Sequence, residues 1–247
     1  MKTAAKYILQ VLFGFRNYLY LFSRYKISTL HSDKKEGDFF YFLNLIPGEG
    51  TVLDIGANIG IMTVHLAREP RRNVIAFEPM PQNIEALKRI VKHYQLSNVL
   101  VMSCALGSEE GTVEMVMPVE GGARMQGLSH VVHDSIPDKN QGEKIKTALR
   151  TLDGLAELQG NIVITGVKMD VENFEFFVLQ GGQKMLTKHR PVLYIELWEN
   201  ENRTRCFKLL TDLGYSIHVV ENSALVKFDK QNKQNFIFLP GDKAGTV

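Results

Sequence analysis

The sequence predicts an α/β fold in which helices flank a largely parallel sheet, and three observations support this. Strand-like and helix-like segments alternate from Thr51 onward, the order that strand–helix–strand crossovers produce. The runs at 51–55 and 73–77 are apolar at consecutive rather than alternate positions, as strands buried on both faces must be. Between them lies Val52-Leu53-Asp54-Ile55-Gly56-Ala57-Asn58-Ile59-Gly60, a strand, a glycine turn and a helix start, which is the layout of a nucleotide-type cofactor site.

The first 32 residues carry five basic side chains (Lys2, Lys6, Arg16, Arg24 and Lys26) and no acid before Asp33. Ile8, Val11, Leu12, Phe15, Leu19 and Phe22 recur at helical spacing, which predicts one amphipathic helix. It is too interrupted by polar residues to span a bilayer. Two readings stay open: a helix packed on the domain, which is the commoner fate of such a stripe, or one lying on an anionic membrane surface. Residues 1–38 are thus expected to form a helical extension, and residues 39–247 one globular domain.

Within the domain, strands are expected at 51–55, 73–77, 99–104, 112–117, 163–169, 192–196, 215–220 and 236–239. Helices are expected at 59–68, 81–94, 152–158, 174–181 and 204–213. Pro81 suits a helix start because a first-turn amide has no partner to lose. The interval 118–147, with four glycines and Pro137, reads as an irregular loop and a candidate substrate lid.

Composition narrows the function. A net charge of +2 on 247 residues, without basic and aromatic residues interleaved, gives no footprint of nucleic-acid binding. Two cysteines, Cys104 and Cys206, are too few for a disulfide framework and lack metal-ligand spacing, so a reducing, cytoplasmic compartment is expected, with peripheral membrane contact if the basic helix lies on a bilayer.

Ligands of open α/β sheets sit beyond the carboxyl ends of the strands. Asp54 and Glu78 close the first two strands, Ser103, Cys104 and Ala105 close the third, Asp170 and Glu172 follow the 163–169 strand, and Glu196 closes the next. Glu78 lies about 20 residues beyond the turn, where a carboxylate accepts the hydroxyl protons of a ribose. The turn has two glycines, Gly56 and Gly60, where a dinucleotide fingerprint has three around a pyrophosphate. An acid-led turn without the third glycine suits S-adenosylmethionine, which has no phosphate and carries a sulfonium. On their own, Asp54 would be a turn cap and Glu78 a helix cap.

The turn, together with Phe77-Glu78-Pro79, Ala105-Leu106-Gly107, Gly111-Thr112-Val113, Thr151-Leu152-Asp153, Val167-Lys168-Met169-Asp170-Val171-Glu172 and Ile195-Glu196, resembles the FkbM family of S-adenosylmethionine-dependent methyltransferases over roughly residues 39–239. The resemblance implies a Rossmann-like class I methyltransferase fold with a seven-stranded sheet whose last strand is antiparallel, and O-methylation as the usual reaction. It implies that Gly56, Ala57, Asn58 and Gly60 hold the methionine part of the cofactor, Glu78 the ribose, and Cys104 and Ala105 the adenine edge. One position departs from the family pattern: Asn173 stands where glycine is common. Asparagine tolerates a left-handed backbone, so the turn is expected to survive.

For catalysis, Asp170 is the expected general base or acceptor anchor, with Glu172 and Glu196 beside it. His130 is a further candidate base, and His133 and Arg124 candidate acceptor contacts. Lys168 is expected to pair with a carboxylate, and Trp198 to stack on a sugar or pack in the core. A divalent metal at Asp170 stays open, with no ligand set assignable. The expected acceptor is a hydroxyl of a sugar, glycolipid or other small molecule. The alternatives are a membrane-associated, cofactor-binding module without catalysis and a nicotinamide-dependent oxidoreductase.

Overall fold

The computed structural model describes residues 2–133 and 141–241. Helices α1 (Lys2–Phe13) and α2 (Phe15–Thr29) precede α3 (Gly37–Leu45), and β1 (Gly50–Ile55), α4 (Ile61–Leu66), β2 (Arg72–Phe77), α5 (Pro81–His93) and β3 (Val99–Met102) follow. Next come β4 (Ala105–Leu106), β5 (Gly111–Glu120), β6 (Ala123–Arg124), β7 (His130–Val131) and β8 (Gly142–Arg150). The chain finishes with β9 (Ile164–Met169), α6 (Glu175–Gln180), α7 (Gln183–His189), β10 (Val192–Glu196), α8 (Glu201–Asp212), β11 (Tyr215–Glu221), β12 (Ala224–Lys227) and β13 (Asn235–Pro240).

The main sheet has eight strands in the order β12-β11-β13-β10-β9-β1-β2-β3. Strands β10, β9, β1, β2 and β3 are parallel, whereas β13 runs antiparallel to both neighbours. This is the expected sheet with one strand more, because β12 folds back on β11. The turn responsible is Asn222-Ser223, both with positive φ (50° and 63°), the conformation that lets a two-residue hairpin follow strand twist.

Side chains alternate between two cores, as the pleat requires. Leu53, Ile55, Phe77 and Met169 face one side, and Val52, Val74 and Tyr194 face the other, where Phe39 and Phe42 of α3 cover them. Phe42 stacks on Tyr194 with ring centroids 5.6 Å apart.

Three expectations require correction. The basic N-terminal segment is two helices, broken at Gly14 (φ 68°), and only α2 buries its stripe: Tyr18, Leu19 and Ile27 pack against Ile59, Ala86, Val64 and Ile90. The 152–158 segment is two 3-10 turns, not an α-helix. The 112–117 segment and, within 118–147, the end of β5, β6, β7 and the start of β8 belong to a second sheet, β4-β8-β5-β6 with β7 on β5. There β5 and β8 pair from Gly111↔Leu149 to Pro118↔Gly142, so the interval expected to be irregular is strand at both its ends. Residues 134–140 of that interval lie outside the described residues. Among the described residues no helix is long and apolar enough to cross a membrane.

Candidate active site

The order of the main sheet reverses direction at β1 and β9, and the loops after these two strands form the site, as the crevice rule for open sheets requires. After Ile55 the chain turns across β2, with the amides of Gly56 and Ala57 both donating to the Phe77 carbonyl at 3.0 and 2.9 Å. Gly56, Asn58 and Gly60 all have positive φ (76°, 50° and 83°). At Gly56 no side chain fits, since a Cβ would lie 1.8 Å from the Asp170 carbonyl oxygen. The two loops therefore touch backbone to backbone.

Glu78, at the end of β2, is buried and locked by three donors: Asn58 N to Oε2 at 2.8 Å, and Met80 N and Asn83 Nδ2 to Oε1 at 2.9 and 3.2 Å. Burial pushes its pKa up to about 7, against the pull of those N–H groups. It lines a cleft of about 590 Å³ together with Gly56, Asn58, Asn83, Cys104, Ala105, Gln126, Asp170 and Glu172. Asn58 Oδ1, Asn83 Oδ1 and Gln126 Oε1 are buried with no hydrogen-bond partner among the described residues, and such acceptors are costly to leave unmet. The cleft thus presents acceptors to a donor-rich ligand. Cys104 is a wall here, because burial raises its thiol to about 11 and keeps it protonated.

A second cleft, of about 660 Å³, adjoins the first at Asp170. It shares Gly56, Asn58, Gln126, Gly127 and Asp170 with the first, and adds Phe22, Lys26, Leu30, Glu36, Ala57, Ile59 and Lys168. Helix α2 and the turn after it therefore wall this cleft. The sequence carried no signal for Phe22, Glu36 or Gln126, since nothing local announces a contact with strand ends far along the chain.

Several residues expected in the site stand elsewhere. Asp54 is fully buried under the turn: its Oδ2 accepts from Thr63 Oγ1 at 2.6 Å, and its Oδ1 lies 3.4 Å from Lys168 Nζ, which donates to the Gly56 carbonyl at 2.9 Å. Lys168 thus has the carboxylate partner expected of it, and the pair braces the turn from below. Gly60 meets Leu87 and lines neither cleft. His130, paired in β7 with Val116, is buried with Nδ1 2.8 Å from the Leu128 carbonyl and lines neither cleft. His133 packs on Phe174 and Phe177, and Arg124 pairs with Glu143. Glu196 lines neither cleft, yet burial and then the charge of Asp170 raise its pKa to about 7. Trp198 stays partly exposed beside it. Among the described residues no cluster of His, Cys, Asp and Glu suits a metal ion.

The loop after Asp170 is held by Glu175, fully buried, whose Oε1 accepts from Val171 N and Asn173 N at 3.0 and 3.3 Å. Asn173 does adopt the left-handed conformation (φ 76°), and its side-chain oxygen accepts from Asn200 and Asn202 at 2.7 and 3.4 Å. Burial raises Glu175 to about 8. The folded state therefore keeps a proton that the unfolded chain loses near ~4.3. That stabilisation is complete below the unfolded value and is lost as pH rises through about 8. Glu175→Gln keeps an acceptor in place. It should flatten the fall of stability between those pH values by up to about 1.4 kcal/mol per pH unit, one proton's worth, read from urea unfolding midpoints.

Residues 54–217 match the model of the Methyltransferase FkbM domain. The chain belongs to this methyltransferase family. The FkbM resemblance of the sequence motifs is thereby shown. Over 204 residues the chain is 27% identical to Methyltransferase sdnD of Sordaria araneosa, covering 73% of this chain and 79% of that protein. Over 156 residues it is 24% identical to Methyltransferase 1 of Beauveria bassiana, covering 58% and 63%. The crystal structure of Methyltransferase FkbM from Methylobacillus flagellatus KT superimposes with a TM-score of 0.53 at 17% identity, over 78% of this chain and 44% of that one. The chain spans less than half the length of that solved chain, and the likeness establishes a shared fold, the Rossmann-like class I methyltransferase fold.

Proposed function

We propose that this FkbM-family chain transfers the methyl group of S-adenosylmethionine to a hydroxyl of a sugar, glycolipid or similar small acceptor, with Asp170 as the general base. The observation that carries the reading is the meeting of two clefts at Asp170. The first fits the cofactor by its acceptors: Glu78 and the oxygens of Asn58, Asn83 and Gln126, without partners among the described residues, suit ribose hydroxyls, amino groups and positive charge, and no phosphate. The second fits an acceptor, with apolar Phe22, Leu30 and Ile59 beside Glu36, Lys26 and Lys168.

When bound, the cofactor supplies a methyl carbon on a sulfonium, so that the C–O bond forms as the C–S bond breaks and its electron pair stays on sulfur. The chain's own task is alignment and proton removal. Asp170 takes the proton leaving the acceptor hydroxyl. Lys168, a buried cation at the floor of the second cleft, offsets the negative charge gathered by Asp170 and Glu36. Glu196 holds its proton below about pH 7, which limits like-charge crowding around Asp170.

Calorimetric titration with S-adenosylhomocysteine and with NAD tests the first cleft. Stoichiometric binding of the former and none of the latter is expected, and the reverse pattern would overturn the assignment. Incubation with isotopically labelled cofactor and fractionated glycans or lipids should then give a product heavier by one methylene, with the label retained.

A further inference from the structure

Helix α1 is amphipathic the wrong way round for a helix packed on a protein. Its docked side is polar: Gln10 is buried, donating from Nε2 to the Arg124 carbonyl at 2.9 Å and accepting the Arg124 amide at 2.9 Å, while Tyr7 rests over Gly122. Its outward side is apolar, with Ile8 55%, Val11 64%, Leu12 70% and Phe13 48% exposed, and Leu21 and Tyr25 of α2 add to the exposed apolar surface. Ile8, Val11 and Leu12 follow one another along one face of α1, and so many exposed apolar side chains on one helix mark an interaction surface rather than a tolerated surface residue.

Charge selects the occupant. Five of the 29 basic residues and none of the 27 acidic ones fall in the first 32 positions, which leaves the remaining 215 residues with a net charge of −3. Arg16 and Lys26 pair with Glu85 and Asp33, and the apolar face sits in an acid-free segment whose other bases include Lys6 and Arg24, the combination that seats a helix on an anionic bilayer. A two-fold contact with a second copy would bring two such basic segments together, which like-charge repulsion opposes. We infer that α1 is an interfacial helix that docks this enzyme on an anionic lipid surface, its apolar face in the acyl boundary and its polar face against β6. The same extension, through Phe22, Lys26 and Leu30 of α2 and the turn after it, walls the second cleft. An acceptor with a lipid tail would follow from that placement, a point that rests on the methyltransferase reading, whereas docking itself does not.

The full chain should sediment with phosphatidylglycerol-containing phosphatidylcholine vesicles on the order of tenfold more tightly than with pure phosphatidylcholine ones, and lose that margin at high salt. The triple variant Ile8→Ser, Val11→Ser, Leu12→Ser should lose vesicle binding by a similar factor. Because these side chains already face solvent, it should keep its affinity for S-adenosylhomocysteine. Equal sedimentation of wild type and variant would overturn the proposal. So would concentration-dependent dimerisation, seen by light scattering and abolished by the same variant, with no vesicle binding. Loss of S-adenosylhomocysteine binding by the wild type would refute the cofactor reading and leave the docking result standing.

Discussion

Asp170→Asn is expected to lower kcat by about 10²–10⁴-fold, the usual contribution of a positioned general base, with little change in affinity for S-adenosylhomocysteine. The substitution is nearly isosteric and leaves the backbone as it is: the Asp170 amide still donates to the Ile55 carbonyl at 3.0 Å, and its carbonyl still abuts Gly56. What is lost is a group able to take a proton where the clefts meet. A merely bracing role for Asp170 would instead lower stability and both affinities together. The pH profile separates the two, because a base gives kcat/KM an acidic limb that the asparagine variant lacks. Unchanged turnover would move the base to another carboxylate, with Glu36 next in line as a lining residue of the second cleft.

The outcome of reading this site from sequence depended on how local each signal was. The turn from Gly56 and the placement of Glu78 were legible because a buried parallel strand, a glycine and a strand-end acid follow one another in the chain. Asp54 misled because its partner is distant: the parallel register of β1 and β9 sets Asp54 directly beside Lys168, so its charge is used within the protein. His130 misled for the same reason, since pairing with Val116 buries a residue whose neighbours in sequence suggest a loop. Strand β8 escaped notice because its side chains are mostly partly or fully exposed, Leu149 apart, so no apolar run marks it. Helix α2 as a cleft wall had no sequence signature at all. Departure from a pattern was more informative, for Asn173 keeps the left-handed turn and gains the side chains of Asn200 and Asn202 as partners.

Gly56→Ala should damage both fold and site, and Gly60→Ala provides the comparison that assigns the cause. Both glycines have positive φ, which costs an L-residue about 1–2 kcal/mol by itself. They differ in what a methyl group would meet. At Gly60 it lies 2.7 Å from Leu87 Cδ1, the end of a side chain that can turn aside. At Gly56 it lies 1.8 Å from the Asp170 carbonyl oxygen and 2.9 Å from its carbon, so the backbone after β9 must move, carrying Asp170 and Val171 with it. Gly56→Ala is therefore expected to cost more than about 3 kcal/mol in urea unfolding, beyond the ordinary range for one substitution. It should also lower kcat/KM by about 10²-fold or more through misplacement of Asp170, the proposed base. Gly60→Ala, outside both clefts, should lose about 1–2 kcal/mol and bind S-adenosylhomocysteine nearly as the wild type does. Equal losses in the two variants would show that backbone strain alone sets the demand for glycine. A Gly56→Ala protein with normal cofactor affinity would break the link drawn between that close approach and the joining of the two clefts at Asp170.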